Sequence, residues 1–346
     1  MKKAICIALS LALAAGTLTG CKTSSTPASA PKSTDEKLRI VTTIFPEYDW
    51  VREILGARAD QVELTMLLDD GVDLHSFQPT ADDMVTISNC DLFLYTGGES
   101  DAWVDDALAN ASNTNRVAMN LMDILGDAVK AEEVVEGMQE SEHHHDHDED
   151  HDEDHDHDED HDHDEDHDEA DEHIWLSLKN AAVLCDAIAN ALGTIDPDYK
   201  STYAENATAY IQKLTSLDEQ YQSAVDASSN HTLLFADRFP FRYLVDDYGL
   251  TYYAAFSGCS AETEASFETV AFLAKKVDEL TLPCVLTIEG ATHGIAETVV
   301  SNTNTKNQEI LVLDSMQAVT AADVEGGASY LFIMEKNLEI LKAALR

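Results

Sequence analysis

The sequence predicts an α/β protein of two lobes, each with a mostly parallel sheet flanked by helices, joined by one long rigid helix. Three observations predict this architecture. Short apolar strands alternate with helix patterns early in the chain, the alternation returns in its last third, and an uninterrupted helix pattern lies between. The 346 residues suffice for a leader and two domains of ordinary size.

The N-terminal lobe is predicted to span 38–139 and to be completed by 173–196. Its predicted strands are Leu38–Phe45, Val62–Leu68 and Leu92–Gly97, and its predicted helices are Tyr48–Leu55, Ala81–Ser88, Asp101–Asn110 and Leu178–Leu192. Thr80 is a candidate N-cap for the second helix, with Asp83 placed like the acid of a capping box.

The connecting helix is predicted over 197–227, because Pro197 opens a helix pattern without internal Gly or Pro. At 1.5 Å per residue such a helix is roughly 45 Å long. Two shorter helices with a kink are the alternative. The C-terminal lobe follows over 228–346. Its predicted strands are Leu233–Asp237, Tyr252–Phe256, Val285–Glu289 and Ile310–Asp314, and its predicted helices are Phe241–Tyr248, Ser266–Leu280, Ala296–Asn302 and Ala328–Leu345.

The N-terminus is predicted to be a lipoprotein signal peptide over 1–20. Two lysines precede a short apolar run that ends in Leu-Thr-Gly-Cys, typical of a lipobox in which Cys21 carries the lipid. An ordinary signal peptide with a chance cysteine is the alternative. The stretch 21–37 is rich in Ser, Thr, Pro and Ala, so we expect it to be a flexible tether. The protein is then expected to be lipid-anchored to the outer face of the cytoplasmic membrane or to lie in the periplasm.

A run of acids and histidines over 140–172 interrupts the first lobe. It holds 21 acids and 10 histidines, cannot bury a core, and is predicted to be disordered and to capture metal ions. Its histidines are His143, His144, His145, His147, His151, His155, His157, His161, His163 and His167. The net charge of −45 argues against nucleic acid and favours cations as ligands.

Four cysteines follow Cys21, and none forms a CxxC pair: they are Cys90, Cys185, Cys259 and Cys284. One disulfide is compatible with an exported protein, but the spacing assigns no pairing. There is also no His-Glu-x-x-His or Gly-x-Ser-x-Gly motif, which argues against a hydrolase.

Candidate metal ligands lie on loops expected at the carboxyl ends of strands, where open α/β sheets bind ligands. His75 lies between a predicted strand and a helix, and His173 lies where the acidic run gives way to a helix. Glu289 and Asp314 end the last two predicted strands. Two histidines with carboxylates suit zinc or manganese. A solvated histidine, a helix-capping aspartate and a surface glutamate are the alternative interpretations.

Three motifs resemble ABC-transporter solute-binding proteins, in particular those of zinc uptake. They are the Gly-x-x-x-His-Ser-x-x-Pro-Thr loop at 71–80, the Gly-Gly pair with an acidic Trp-containing segment at 97–103, and Asp-Glu-His-Ile-Trp at 171–175. The family often carries a His-rich acidic loop at the same place. The resemblance implies that His75, His173 and Asp314 bind a metal ion in the cleft between the lobes.

One position departs from that family pattern. Counting back from Tyr248-Gly249-Leu250, the position that usually supplies a third ligand is Arg238, whose guanidinium cannot bind a cation. Glu289 is the favoured replacement, with Asp237, His293 or a water molecule as further candidates. Arg238 is expected to pair with one of these acids.

The resemblance implies a monomeric zinc-binding protein, not an enzyme, that delivers its cargo to an ABC permease. Imidazole ligands favour Zn²⁺ over Mn²⁺, although a manganese-binding member of the family is an alternative. A surface metal store or an adhesin without a transport partner is the other alternative. The acidic run is predicted either to pass zinc to the cleft or to act as a buffer, and its capture should weaken as its histidines are protonated.

Overall fold

The computed structural model describes residues 37–109, 112–139, 169–260, 264–290 and 292–346. The predictions made for the signal peptide, Cys21, the tether and the ten histidines of the acidic run lie outside these ranges. Across the described ranges, no helix combines the length and apolar character that a membrane crossing requires.

Each lobe is built on a parallel sheet of four strands within the described residues. The first sheet has the order β2-β1-β3-β4 and the second has the order β6-β5-β7-β8. The strands are β1 (Arg39–Thr42), β2 (Glu63–Met66), β3 (Leu92–Tyr95), β4 (Val117–Asn120), β5 (Thr232–Phe239), β6 (Thr251–Ser257), β7 (Cys284–Thr287) and β8 (Glu309–Val312). The predicted fold class is confirmed.

Helices flank both sheets. They are α1 (Phe45–Leu55), α2 (Ala81–Asn89), α3 (Val104–Ala109), α4 (Leu121–Leu125), α5 (Leu178–Ile195), α6 (Lys200–Asp226), α7 (Arg242–Asp247), α8 (Phe267–Leu280), α9 (Gly294–Asn302), α10 (Ala321–Glu325) and α11 (Tyr330–Ala344). The capping box predicted at the start of α2 is present, since Thr80 and Asp83 exchange hydrogen bonds.

The long helix α6 is continuous over 27 residues, so it is about 40 Å long. Its buried side chains recur every three or four residues, which gives it one apolar face: Tyr203, Ala207, Tyr210, Leu214, Leu217, Tyr221 and Val225. Asn206 donates to the Ile54 carbonyl at the end of α1, and Tyr221 donates to the Met334 carbonyl of α11. The helix therefore holds both lobes along its length.

The carboxyl ends of the strands place the loops that matter for function. His75 lies beyond β2, Gly98 beyond β3, Cys259 beyond β6 and Glu289 beyond β7. In a parallel sheet these ends share one edge, so loops distant in sequence become neighbours.

The structure adds three details to the predicted organisation. The described cysteines after the tether are all free, so none of them forms a disulfide. Segment 130–139 is assigned to the first lobe but forms a hydrogen bond with the second lobe, in which Gln139 N donates to the Ala255 carbonyl. Residues 169–172, assigned to the disordered run, are described and ordered, with Asp171 and Glu172 buried. Charge composition alone does not distinguish a solvated acid from one paired to a histidine.

Candidate metal centre

His75 and His173 meet where the loops of the two lobes come together. Their Nε2 atoms are 3.1 Å apart, and their ring centroids are 5.1 Å apart. Two nitrogen ligands of one tetrahedral zinc ion, each bonded at about 2.0–2.1 Å, lie about 3.4 Å apart. The two imidazoles are therefore spaced to share a single ion.

His75 is held in place through both its backbone and its ring. Asp73 caps the short 3₁₀ turn Leu74–Ser76 by accepting from the His75 backbone N–H at 3.0 Å. The Nδ1 atom of His75 lies 2.8 Å from Ser100 Oγ and 3.4 Å from Glu172 Oε2. An acceptor at Nδ1 favours the tautomer whose Nε2 lone pair is free for a metal.

His173 is completely buried and is oriented by its own sequence motif. Asp171 Oδ1 lies 3.0 Å from the Nδ1 atom of His173 and also accepts the His173 backbone N–H at 2.9 Å. Trp175 packs against the imidazole with ring centroids 5.2 Å apart, and its indole donates to the Ser315 carbonyl. The Asp-x-His-x-Trp spacing thus supplies an acceptor, a ligand and an anchor in one turn.

Two glycines allow the close packing of this site. A Cβ on Gly98, whose φ is +83°, would lie 2.3 Å from Glu172 Oε1. A Cβ on Gly258 would lie 2.9 Å from His173 Cε1 and equally close to the Phe239 carbonyl. The second glycine of the Gly-Gly pair therefore lets Glu172 reach His75, and Gly258 lets the loop after β6 lie against His173.

The electrostatics of the site favour positive charge. Burial alone would lower the pKa of His173, but Asp171, Asp73 and Glu172 outweigh it and raise that pKa above its ordinary value. Burial would raise the pKa of Glu172, yet His75 and Ser100 hold it below its usual range. The acids around the imidazoles therefore prefer a cation between them.

Cys259 brings a third side chain that could bind a metal ion to this place. A ligand atom from each of His75, His173 and Cys259 lies within 4.8 Å of the other two, the one such group of at least three His, Cys, Asp or Glu in the described residues. Burial raises the pKa of the thiol, and Glu132 and Asp171 raise it further.

Arg238 pairs with an acid that the sequence analysis did not consider. Its Nη2 donates to Asp73 Oδ2 at 2.8 Å, and its Nη1 lies 3.5 Å from the Ser260 carbonyl. The prediction that Arg238 pairs with Glu289 or Asp237 is therefore wrong. This ion pair links the two lobes because Asp73 lies beyond β2 and Arg238 lies in β5.

Asp314 and Glu289 lie next to each other and outside the group formed by the histidines and Cys259. Both carboxylate oxygens of Glu289 accept hydrogen bonds from the turn 315–317, including 2.7 Å from Ser315 N. Asp314 Oδ1 accepts from Met316 N at 2.8 Å. Burial and the charge of Glu289 raise the pKa of Asp314 to about 6.

The remaining candidate ligands, Asp237 and His293, line a cavity of about 740 Å³ beside the two histidines. Asp237 accepts hydrogen bonds from Thr287 Oγ1 and from Ile288 N, and His293 Nδ1 lies 3.3 Å from the same threonine hydroxyl. Neither side chain belongs to the group around His75. They lie in the cleft beside the site.

The chain matches a known protein family. Residues 40–344 match the family model described as zinc-uptake complex component A, periplasmic. The chain is 30% identical over 311 residues, 90% of its length, to the zinc-binding lipoprotein AdcA of Streptococcus pneumoniae, but spans 56% of that protein. It is also 30% identical to the high-affinity zinc uptake system protein ZnuA of Bacillus subtilis over 94% of this chain and 92% of ZnuA.

Solved structures agree with these matches. The Zn(II)-bound ZnuA-like domain of Streptococcus pneumoniae AdcA superimposes with a TM-score of 0.66 and 26% identity, over 90% of this chain and 99% of that domain. The metal-dependent lipoprotein YcdH of Bacillus subtilis gives a TM-score of 0.68 and 25% identity, over 89% and 99%. The matched family is one of metal-binding solute-binding proteins and not of enzymes. The chain belongs to the zinc-uptake family of solute-binding proteins.

Proposed function

We propose that this protein captures Zn²⁺ outside the cytoplasm and delivers it to the permease of an ABC importer. The observation that carries the proposal is the 3.1 Å separation of the His75 and His173 Nε2 atoms, each ring having an acid at its Nδ1 side. Such acids fix the ring orientation and strengthen the imidazole as a ligand. Zinc is the cargo and not a catalytic cofactor.

Zinc is favoured over manganese because imidazole is a better ligand for zinc, whereas manganese suits oxygen ligands. The relatives named above are zinc-binding or zinc-uptake proteins, which supports the same choice. Asp314 and Glu289 stay predicted ligands that would need to approach the imidazoles, since they lie outside the group around the histidines.

The protein is proposed to work at the membrane surface outside the cytoplasm. A lipid on Cys21 and the tether that follows would hold the folded part near the membrane. A relative carries the word lipoprotein in its name, which supports this placement. The acidic run would gather zinc close to His173, because it ends directly before that residue.

Calorimetric titration of the full chain tests the site. We expect the double variant His75→Ala/His173→Ala to lose one tight zinc site while the weaker sites remain. The control is His231→Ala, because His231 is exposed and its ring contacts the Ser228 carbonyl. A tight site that is unchanged in the double variant would remove the basis of the proposal.

Zinc uptake by cells tests delivery. Bacteria without the gene should grow poorly in zinc-limited medium, and the wild-type gene, but not the double-histidine variant, should restore growth and ⁶⁵Zn uptake. Equal rescue by both genes would contradict delivery from this site. Tight zinc binding without any effect on uptake would instead favour a surface metal store or an adhesin.

A further inference from the structure

We propose that Cys259 binds the transported ion as a thiolate, so that His75, His173 and Cys259 form a His₂Cys set. This inference rests on the proposed function and identifies a ligand that the sequence analysis did not assign. It answers the question raised by Arg238, which occupies the position where the family resemblance predicts a ligand and which is instead bound to Asp73.

The distances are those of a site that needs only a small contraction. The three ligand atoms lie within 4.8 Å of one another. Around a tetrahedral zinc ion with Zn–N of about 2.0–2.1 Å and Zn–S of about 2.3 Å, ligand atoms lie about 3.4–3.7 Å apart. The gap is therefore at most roughly 1 Å, which side-chain rotation and loop adjustment can close.

The loop that carries Cys259 is built to lie at this place. Gly258 has no side chain where any Cβ would strike the His173 ring and the Phe239 carbonyl. The Cys259 backbone N–H donates to Glu132 Oε1 at 2.9 Å. Glu132 is itself held by a hydrogen bond from its N–H to the Glu169 carbonyl, so Glu132 is tied to the segment that leads into His173.

Sheet register explains why a residue after β6 can serve in place of one in β5. Arg238 pairs with Phe256 and Phe239 pairs with Ser257 across these parallel strands. Cys259 therefore begins the loop next to the end of β5. The other described thiols, Cys90, Cys185 and Cys284, are buried, and none of them belongs to the group around the histidines.

The chemistry of the site changes with a thiolate ligand. When zinc binds, the S–H bond of Cys259 breaks, its proton passes to solvent, and the sulfur lone pair forms the Zn–S bond without any change of oxidation state. Thiolate is a soft ligand that favours zinc and is poorly matched to manganese. The Cys259 side chain should therefore set selectivity for zinc over manganese.

Cobalt substitution tests the sulfur bond directly. With one equivalent of Co²⁺, the full chain should show the intense near-ultraviolet thiolate-to-cobalt charge-transfer absorption that nitrogen and oxygen ligands do not give. Cys259→Ser should abolish it. The matched control is Cys90→Ser, which should retain it, because a serine at position 90 can keep the bond that the thiol donates to the Ile87 carbonyl. Absence of the band from the wild-type chain, or its persistence in Cys259→Ser, would overturn the proposal.

Affinity measurements separate this inference from the proposed function. Cys259→Ser should weaken zinc binding by at least about 100-fold. Loss of a group that only hydrogen-bonds a metal ligand costs up to about 100-fold, and loss of the ligand itself should cost at least as much. It should change manganese binding far less, so the zinc-to-manganese ratio falls. If His75→Ala/His173→Ala abolishes the tight site while Cys259→Ser keeps full affinity, the function stands and Cys259 is excluded. If the double-histidine variant keeps the tight site, the function itself fails.

Discussion

At the scale of single residues, the two histidines depend on the acids behind them. Asp171 contacts both the ring and the backbone N–H of His173, and Glu172 contacts the ring of His75 while accepting from Ser100 N at 2.9 Å. Both acids are buried, so their charges act through little intervening water. The orientation of both rings thus depends on Asp171 and Glu172, the two residues that precede His173.

Asp171→Asn should lower zinc affinity by about tenfold, because a neutral amide still accepts the hydrogen bonds but no longer strengthens the imidazole. Competition with a chromogenic chelator measures the change. Asp186→Asn is the control, since Asp186 is on α5 and bonds only to Asn190 among the contacts described. Equal affinity of Asp171→Asn and wild type would show that the carboxylate has no role in binding.

Gly98→Ala should weaken zinc binding by about tenfold, because the added methyl displaces Glu172 from His75. Gly126→Ala is the matched control: its φ is also positive, but nothing lies within 4 Å of its Cβ position. Each variant should lose about 1–3 kcal/mol of stability from backbone strain. If both variants, measured by thermal unfolding and zinc titration, keep full affinity, the close contact at Gly98 has no functional effect.

Sequence patterns predicted His75 and His173 as ligands, and the structure brings the two rings together. The same patterns gave no sign of the neighbouring Cys259, or of the contacts made by Asp171, Glu172 and Ser100. The histidines stood out because they are scarce outside the acidic run, and because their motifs resemble a known family. The acids were indistinguishable from the run that precedes them. Cys259 offered no spacing signal, since its proximity to His173 depends on the packing of the two lobes.

At the scale of secondary structure, most elements were predictable, and the misses were short. The strand β4 (Val117–Asn120) and the helices α4 and α10 each have only four or five residues. Elements of that length show too few periodic positions to be recognised. The continuous helix α6 was predicted because its apolar period and lack of Gly or Pro extend over more than seven turns.

The first turn of α1 contains an unusual acid that should make stability depend on pH. Glu47 is fully buried and accepts from Thr43 N at 2.8 Å. Burial, and then the charge of Asp101, raise its pKa from 4.5 to about 8. The fold therefore holds a proton that the unfolded chain releases. Its stabilising contribution is complete below about pH 4.5 and is lost as pH rises through 8.

Glu47→Gln should remove this pH dependence, which amounts to about 1.4 kcal/mol per pH unit within that window. Urea unfolding at several pH values between 5 and 8 measures it. The variant should be more stable than wild type at pH 8, because the amide stays neutral. Glu63→Gln, at an exposed position of β2, is the control and should leave the slope unchanged. A slope that persists in Glu47→Gln would contradict the assignment.

At the scale of the whole molecule, the segments on either side of 140–168 are part of the folded chain. Ala131 and Ala170 form an antiparallel bridge, and Asp171 N donates to the Lys130 carbonyl. Segment 130–139 in turn contacts the second lobe through Gln139 and Glu132. The chain segments that flank 140–168 are therefore held by the folded lobes.

Deleting 140–168 and joining Gln139 to Glu169 through a short Gly-Ser linker should remove the weak zinc sites but keep the tight one. The bridge at Ala131 and Ala170 stays intact in this deletion. Calorimetry should therefore show fewer ions bound and an unchanged tight affinity. The control replaces the run's histidines by serine at full length. Loss of the tight site from the deletion alone would show that the run contributes a ligand.

Anomalous diffraction at the zinc edge, from crystals grown with one equivalent of zinc, shows whether the two imidazoles share one ion. We expect one strong peak bonded at about 2.0–2.1 Å to the Nε2 atoms of both His75 and His173. A peak bonded to only one of the two imidazoles, or located elsewhere in the folded chain, would contradict it.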